Sequence, residues 1–208
     1  QVFGLNTPQL SHSGFVVPDN VVAMLSYRKE YFKFLATTIS LFYNGSINGR
    51  FSYTYNGDFN RDGVNGNDLI YIPTAGDVQQ MQFSSQTVSG VVYDQTAQRN
   101  LFESYIMQDK YLKAHRGQYA ERNGAQLPWL NRVDLKFMQD IFVKTGKNRN
   151  TLQFTADIFN FGNMLNPSWG KLKTINASQI LLPQNQNSLV PGGAVIPQFR
   201  LATANNQI

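Results

Sequence analysis

The amino-acid sequence predicts an all-β chain, a portion of an antiparallel transmembrane β-barrel with a long extracellular loop containing a short helix. Three observations lead there. First, apolar and polar residues alternate with a period of two over runs of about a dozen residues. Such runs exceed the five or six residues usual in globular sheets and approach the 9–11 that a tilted membrane strand needs. Second, charged residues are only 15% of the 208, against roughly 25% in ordinary soluble domains, while aromatics reach 13%. Third, no stretch reaches the roughly 18 apolar residues of a spanning helix. The longest candidate, residues 32–43, contains Lys33, Thr37, Thr38 and Ser40. A membrane-resident chain of this kind has to be a barrel, because in lipid only helices and closed barrels satisfy every backbone group.

The elements follow in chain order. Val21, Ala23, Leu25 and Tyr27 alternate with Val22, Met24 and Ser26, and the run stops at Arg28-Lys-Glu30. Next, Leu35, Ile39, Leu41 and Tyr43 alternate with Ala36, Thr38, Ser40 and Phe42. Residues 44–49, Asn-Gly-Ser-Ile-Asn-Gly, read as a turn, and Phe51, Tyr53 and Tyr55 as the next strand. Residues 57–131 are too long for a turn and read as the extracellular loop. Within it a short strand is expected near 88–93 and a helix from Thr96 to about Lys113. Leu101, Phe102, Tyr105, Ile106 and Leu112 share one face of that helix, which stops before Gly117. From 132 to 144, Val133, Leu135, Phe137, Ile141 and Val143 oppose Arg132, Asp134, Lys136, Asp140 and Lys144. The polar run 145–151 makes a hairpin with a strand carrying Leu152, Phe154, Ala156 and Ile158 on one face. The tail from Phe161 onward reads as loop, with Pro183, Pro191-Gly-Gly193 and Pro197. Five long strands result. The turns at 44–49 and 145–150 are expected to face the periplasm and the long loop the exterior.

The second face of these strands is small and polar in places (Ala36, Thr38, Ser40) and ionic in others, which suits a water-filled lumen. Tyr31, Tyr43, Tyr53 and Tyr55 near strand ends suit an interfacial girdle, and Trp129 and Trp169 stand where strand meets loop. A secreted or surface-exposed β-sandwich, using aromatics for carbohydrate binding or adhesion, carries the same alternation and stands as the alternative.

Composition excludes several classes. Without cysteine there is neither disulfide nor thiol chemistry. The net charge of +5 is scattered, so no nucleic-acid partner is expected. Neither a phosphate loop nor H-E-x-x-H nor G-x-S-x-G occurs, and His12 and His115 lie far apart, so no enzyme and no organic cofactor are expected.

The sharpest local motif is Asp58-Phe-Asn-Arg-Asp-Gly-Val-Asn-Gly-Asn-Asp68. A calcium loop that opens D-x-[DN]-x-[DN]-G sets oxygens at alternate positions around one ion, with glycine permitting the sharp turn. Asp58, Asn60, Asp62 and Gly63 match that opening, the carbonyl of Val64 would follow, and Asp68 closes one position earlier than usual. The expected ligands of a structural Ca²⁺ are therefore Asp58, Asn60, Asp62, Val64 and Asp68. An Asx-rich turn needing no metal is the other account of the same residues.

Phe51-Ser-Tyr-Thr-Tyr-Asn-Gly-Asp58, then Asp62-Gly63 and Asn67-Asp-Leu-Ile-Tyr-Ile-Pro73, resemble the late barrel region of Bacteroidetes TonB-dependent outer-membrane receptors of the Oar-like or SusC-like sort. Tyr27-Arg-Lys-Glu-Tyr31, Gln108-Asp-Lys-Tyr-Leu112, Pro128-Trp129 and Asp157-Ile-Phe-Asn160 fit the same resemblance, which runs from about Val21 to Gly170. It implies import of a nutrient such as a glycan, peptide or chelate, in the outer membrane of a Gram-negative bacterium. It further implies a plugged barrel of about 22 strands, outer-membrane lipid around it, and a TonB complex that engages an amino-terminal region. Some members of the family that the chain resembles also pair with a surface lipoprotein lid. Residues 1–208 are expected to be the carboxy-terminal part of such a barrel. Signal peptide, plug, TonB box and a last strand ending in an aromatic residue are not seen in the sequence, which therefore reads as a fragment.

Overall fold

The computed structural model describes residues 10–175, 178–185 and 196–202. The expectations placed on Gln1, on Pro191-Gly-Gly193 and on Ile208 fall outside them. The chain divides into two compact units: one comprises Val17–Gly49 and Leu127–Thr174, the other Arg50–Gln126 with Ile175–Ile208 and the first sixteen residues.

The first unit is an antiparallel four-stranded sheet. Its strands, in spatial order, are Asn20–Tyr31, Leu35–Ile47, Trp129–Thr145 and Asn148–Ile158. They run 11 to 17 residues, long enough to cross a bilayer when tilted. Two hairpins make up the sheet. Tyr31 pairs with Leu35 across the first turn and Thr145 with Asn148 across the second, where Gly146 takes a positive φ. Both turns lie at one end of the sheet. At the other end Ile47 pairs with Trp129, which fixes the register between the hairpins.

Two expectations are corrected here. Residues 44–49 are not a turn: the second strand continues through Gly45 and Ser46 to Ile47. The turn instead lies at 32–34, at the same end as Gly146–Lys147, so 44–49 belongs to the opposite end from the tight turns. Phe51, Tyr53 and Tyr55 do not form a long strand either. Only Arg50–Phe51 is extended in a ladder, with Ala125–Gln126, while Tyr53 and Tyr55 are buried in the second unit. The sheet thus has four long strands, not five.

The second unit holds an apolar core of its own, made by Tyr53, Ile70, Ile72, Phe102, Ile106 and Leu112 together with Leu181, Phe199 and Leu201. The excursion after Ile47, where a loop over 57–131 is expected, thus carries a folded unit that combines Arg50–Gln126 with residues from Ile175 onward. The tail joins it: Leu181–Pro183 pairs with Gln198–Leu201, which runs parallel to Gln82–Phe83. The tail is thus not all loop, and Gly162–Leu165 is a further short helix, in the sheet unit.

The expected helix is present but broken. Gln95–Gln108, N-capped by Asp94, is followed by Lys110–Ala114. Asp109 causes the break. Its extended backbone ends the first helix, its Oδ1 accepts from Leu112 N at 2.8 Å to cap the second, and its Oδ2 accepts from Tyr53 Oη at 2.8 Å. The apolar stripe faces the core as expected, with Phe102, Ile106 and Leu112 buried and Leu101 and Tyr105 packed against it. The strand expected near 88–93 is a small hairpin, Gln86–Val88 with Val91–Tyr93, turning at Ser89 and Gly90.

Candidate functional site

Register assigns every residue of the four-stranded sheet to one of two faces. One face is built in rows across the strands: Ala23, Tyr43 and Val133; Leu25, Leu41, Leu135 and Ile158; Tyr27, Ile39, Phe137 and Ala156. Four residues further toward the tight turns comes the row of Tyr31, Leu35, Ile141 and Leu152. Between them lies one polar row, Lys29, Thr37 and Gln139 with Phe154. Its neutral members satisfy one another. Thr37 Oγ1 donates to Gln139 Oε1 at 2.6 Å and Tyr31 Oη donates to it at 3.0 Å, while Gln139 Nε2 donates to the carbonyls of Ala36 and Asp140 at 3.1 Å each. Polar side chains paired in this way carry little desolvation penalty. At the far end of this face Tyr43 Oη donates to Asn131 Oδ1 at 2.8 Å, and Trp129 Nε1 donates to the same oxygen at 3.1 Å. Aromatic rings with a polar tip belong where an apolar layer meets water.

The opposite face is polar and linked by ions. Asp140, expected from sequence only as one of several carboxylates on a strand, is its hub. Arg28 Nη1 donates to Asp140 Oδ2 at 2.6 Å and Gln153 Nε2 to Oδ1 at 2.7 Å. Glu30 lies 3.2 Å from Arg28 and 3.4 Å from Arg149, whose guanidinium stacks 3.6 Å over Phe142. Lys136 pairs with Asp157 at 3.4 Å, and Ser26 hydrogen-bonds Ser40 at 2.8 Å. Asp134 accepts from Arg132 Nε at 3.3 Å and from Asn160 N at 2.7 Å.

Burial runs opposite to that of a soluble sheet. In the two central strands the apolar positions Ile39, Leu41, Phe137 and Ile141 are 37–45% exposed, while Thr38, Ser40 and Asp140 on the other face are 4–7% exposed. A soluble sheet buries its apolar face and leaves the polar one wet. Toward the Trp129 end of the polar face a cavity of about 390 Å³ opens among Asn20, Asn44, Ser46, Phe42, Arg132 and Asp134.

The Asp58–Asp68 loop folds around its own side-chain oxygens. Asp58 accepts from Asp62 N at 3.0 Å and from Gly63 N at 2.9 Å. Asn60 Oδ1 accepts from Asp62 N, and Asp62 Oδ1 from Val64 N, each at 2.9 Å. Asp68 Oδ2 reaches back to Phe59 N at 2.6 Å and Asn60 N at 3.0 Å. Arg61, Gly63 and Gly66 have positive φ. The amide of Asn67 donates to Asp62 Oδ2 at 2.9 Å and is the main reason the Asp62 carboxyl is held below the usual carboxylate range. The structure thus gathers Asp58, Asn60 and Asp62 into one turn with Asp68 closing it, while Val64 enters through its N–H. Among the described residues no three His, Cys, Asp or Glu side chains are grouped as a metal site. The donor set is nevertheless all oxygen, which fits a hard cation such as Ca²⁺.

His115 stacks on Tyr111 at 4.1 Å between ring centroids, with Nδ1 2.8 Å from the Tyr111 carbonyl, and so packs within its helix. The Arg28–Asp140–Gln153 hub was missed from sequence. Its members come from three strands, and only their shared polar face was visible. No family model matches the chain, and neither does any curated protein or solved structure.

Proposed function

We propose that the four-stranded sheet is a segment of an outer-membrane β-barrel and that the chain serves a TonB-dependent importer. The inverted burial of the sheet carries the proposal: exposed apolar rows suit acyl chains, and an ion-paired opposite face suits a wet lumen. The outermost strands Asn20–Tyr31 and Asn148–Ile158 each pair on one side only among the described residues, as staves within a larger barrel would. Four strands cannot close a barrel that leaves a lumen, so further staves complete it. The tight turns then face the periplasm and the Arg50–Gln126 module the exterior, where it meets substrate. Coupling to TonB through an amino-terminal region, and a surface lipoprotein lid, follow from the family resemblance. No catalysis is assigned. A soluble sandwich, by contrast, would seal Ile39, Leu41, Phe137 and Ile141 in its interior.

The Asp58–Asp68 loop is assigned a structural Ca²⁺, with Asp58, Asn60, Asp62, the Val64 carbonyl and Asp68 as ligands. Its role is to order the module where it faces the medium.

These 208 residues contain no cysteine, so single-cysteine variants of the intact protein, with any cysteine outside them replaced by serine, test the proposal in cells. Phe137→Cys is expected to react with a lipid-confined maleimide. Gly90→Cys in the module should react with an impermeant one on whole cells, and Lys147→Cys only after the outer membrane is opened. Reaction of Phe137→Cys with the impermeant reagent alone would sink the proposal.

A further inference from the structure

We infer that the tight-turn end of the apolar face holds a seat for an anionic phospholipid, with Lys29 and Lys33 on its phosphate and Phe32 and Phe34 beside its acyl chains. The inference rests on the reading of that face as lipid-facing and adds a defined site to it. Register puts Lys29 in the polar row with Thr37, Gln139 and Phe154. Among the described residues it is the only charged residue on this face of the sheet, and it has no ion-pair partner there. The carboxylates nearest in register, Glu30 and Asp140, belong to the opposite face, where Arg28 and Arg149 hold them. A cation on a lipid-contacting face lays its stem along the apolar surface and carries its charge to the headgroups. Two residue steps separate Lys29 from Tyr31, the last paired residue before the turn, about 7 Å at 3.4 Å per residue. At a tilt of about 40° this is a depth of roughly 5 Å, within reach of a four-carbon stem. The three N–H donors of the ammonium then meet phosphate oxygens.

The turn supplies the rest. Phe32, Lys33 and Phe34 are all exposed, the two rings at 74% and 51%. Their centroids lie 6.4 Å apart, and Phe32 packs edge-on against Tyr31 at 5.5 Å. Phe32 and Lys33 hold φ of 50° and 58°, a conformation that Gly or Asn holds at less cost. Bulky side chains kept in a strained turn have a use at that place. The turn is also tied down, because the Phe34 carbonyl accepts from Phe142 N at 2.9 Å. Two ammonium groups suit a lipid of net negative charge better than a zwitterionic one. The exposed rings and the apolar rows beside them favour a lipid phosphate over a free one.

The test places the photo-reactive residue benzoylphenylalanine at Phe34, or in parallel at Phe32, of the intact protein. Each protein is folded into phosphatidylcholine vesicles containing one-tenth phosphatidylglycerol, and after irradiation the captured lipid is identified by mass. At both positions the ratio of captured phosphatidylglycerol to phosphatidylcholine should exceed that of the vesicle at least tenfold. Lys29→Gln and Lys33→Gln should each lower it about fivefold, the effect of one cation near an anionic headgroup. Lys136→Gln, on the opposite face, should change it less than twofold. The seat is overturned if the captured ratio equals that of the vesicle or if the Lys29 and Lys33 variants keep the preference. It is also overturned if 10 mM inorganic phosphate abolishes the preference, which would make the ligand a free anion. A captured ratio equal to that of the vesicle removes the seat alone and leaves the lipid-facing sheet standing, whereas capture of no lipid at either position removes both.

Discussion

Placing one arginine on each face of the sheet provides a quantitative test of its orientation. The apolar rows run from Ala23 to Tyr31, eight residue steps, or about 27 Å along a strand at 3.4 Å per residue. With the usual tilt of about 40° this projects to roughly 21 Å, close to the apolar band of about 25 Å on outer-membrane barrels. The row of Tyr27, Ile39, Phe137 and Ala156 is the middle one, so Phe137 sits near the bilayer centre. An arginine there costs about 2–4 kcal/mol, falling to about 0–1 near the interfaces. Phe137→Arg should therefore shift the folding equilibrium by roughly 25- to 700-fold. Ile141→Arg, in the last row, should cost about 1 kcal/mol or less. Met138→Arg, the next residue along but on the wet face, should stay within about 0.5 kcal/mol. Urea titration of the intact protein folded into phosphatidylcholine vesicles, followed by its shifted gel mobility, measures all three. Equal costs at 137 and 138, or a larger cost at 138, would refute the assignment of the two faces.

Three further outcomes are expected in the module. Gln98 is fully buried. Its amide donates to the carbonyls of Ser84 at 2.8 Å and Tyr93 at 3.1 Å and accepts from Leu201 N at 3.3 Å. Gln98→Leu strands those groups and should destabilise the module by about 2–4 kcal/mol, read as faster amide exchange in Gln95–Gln108, and unchanged protection would contradict it. Burial raises the phenols of Tyr53 and Tyr55, the latter to about 12. The folded state holds both neutral, so their contribution is whole below about pH 10; that of Tyr55 is lost as pH rises through 10 to 12, and that of Tyr53, raised further, declines over the same range and beyond it. The melting temperature should fall over that range, and less steeply in Tyr55→Phe. Finally, 1 mM CaCl₂ should raise the melting temperature, by an amount corresponding to about 2.7 kcal/mol if the concentration is a hundred times Kd. Asp58→Ala and Asp62→Ala should abolish the rise, and a parent protein indifferent to calcium would remove the metal.

Alternation made the faces of the sheet legible, because a period of two needs no tertiary information. The turns were less so. Sequence rules look for Gly, Asn or Pro, and the first turn instead puts Phe32 and Lys33 at φ of 50° and 58°, a conformation bulky residues seldom take. Asn44-Gly45 drew the turn assignment, yet Gly45 lies within a strand. A Cβ there would meet Trp129 Cζ2 at 2.6 Å and the Tyr43 ring as well, so the glycine makes room for two aromatic rings. The helix stripe was readable from Leu101 to Leu112, but not its break at Asp109, which sits within the stripe, caps the second helix through Oδ1 and accepts from Tyr53, distant in sequence, through Oδ2. The opening of the Asp58 loop was visible in its residue types. How its oxygens would be used was not, because that depends on backbone N–H groups that turn inward.

Phe83 pairs with Phe199, 116 positions later, and Thr54 N bonds the Ser178 carbonyl at 3.2 Å. The whole second hairpin, Trp129 to Ile158, lies inside that closure. While the chain is being made, the module therefore has no complete interior until the segment around Phe199 has emerged, and Tyr55, Phe59 and Phe83 wait without their partner ring. Closing so long a span is slow and is repaid only at its end. Truncation before Gln198 would thus cost the module a ladder strand and two core side chains, Phe199 and Leu201, although the missing stretch looks like a dispensable tail.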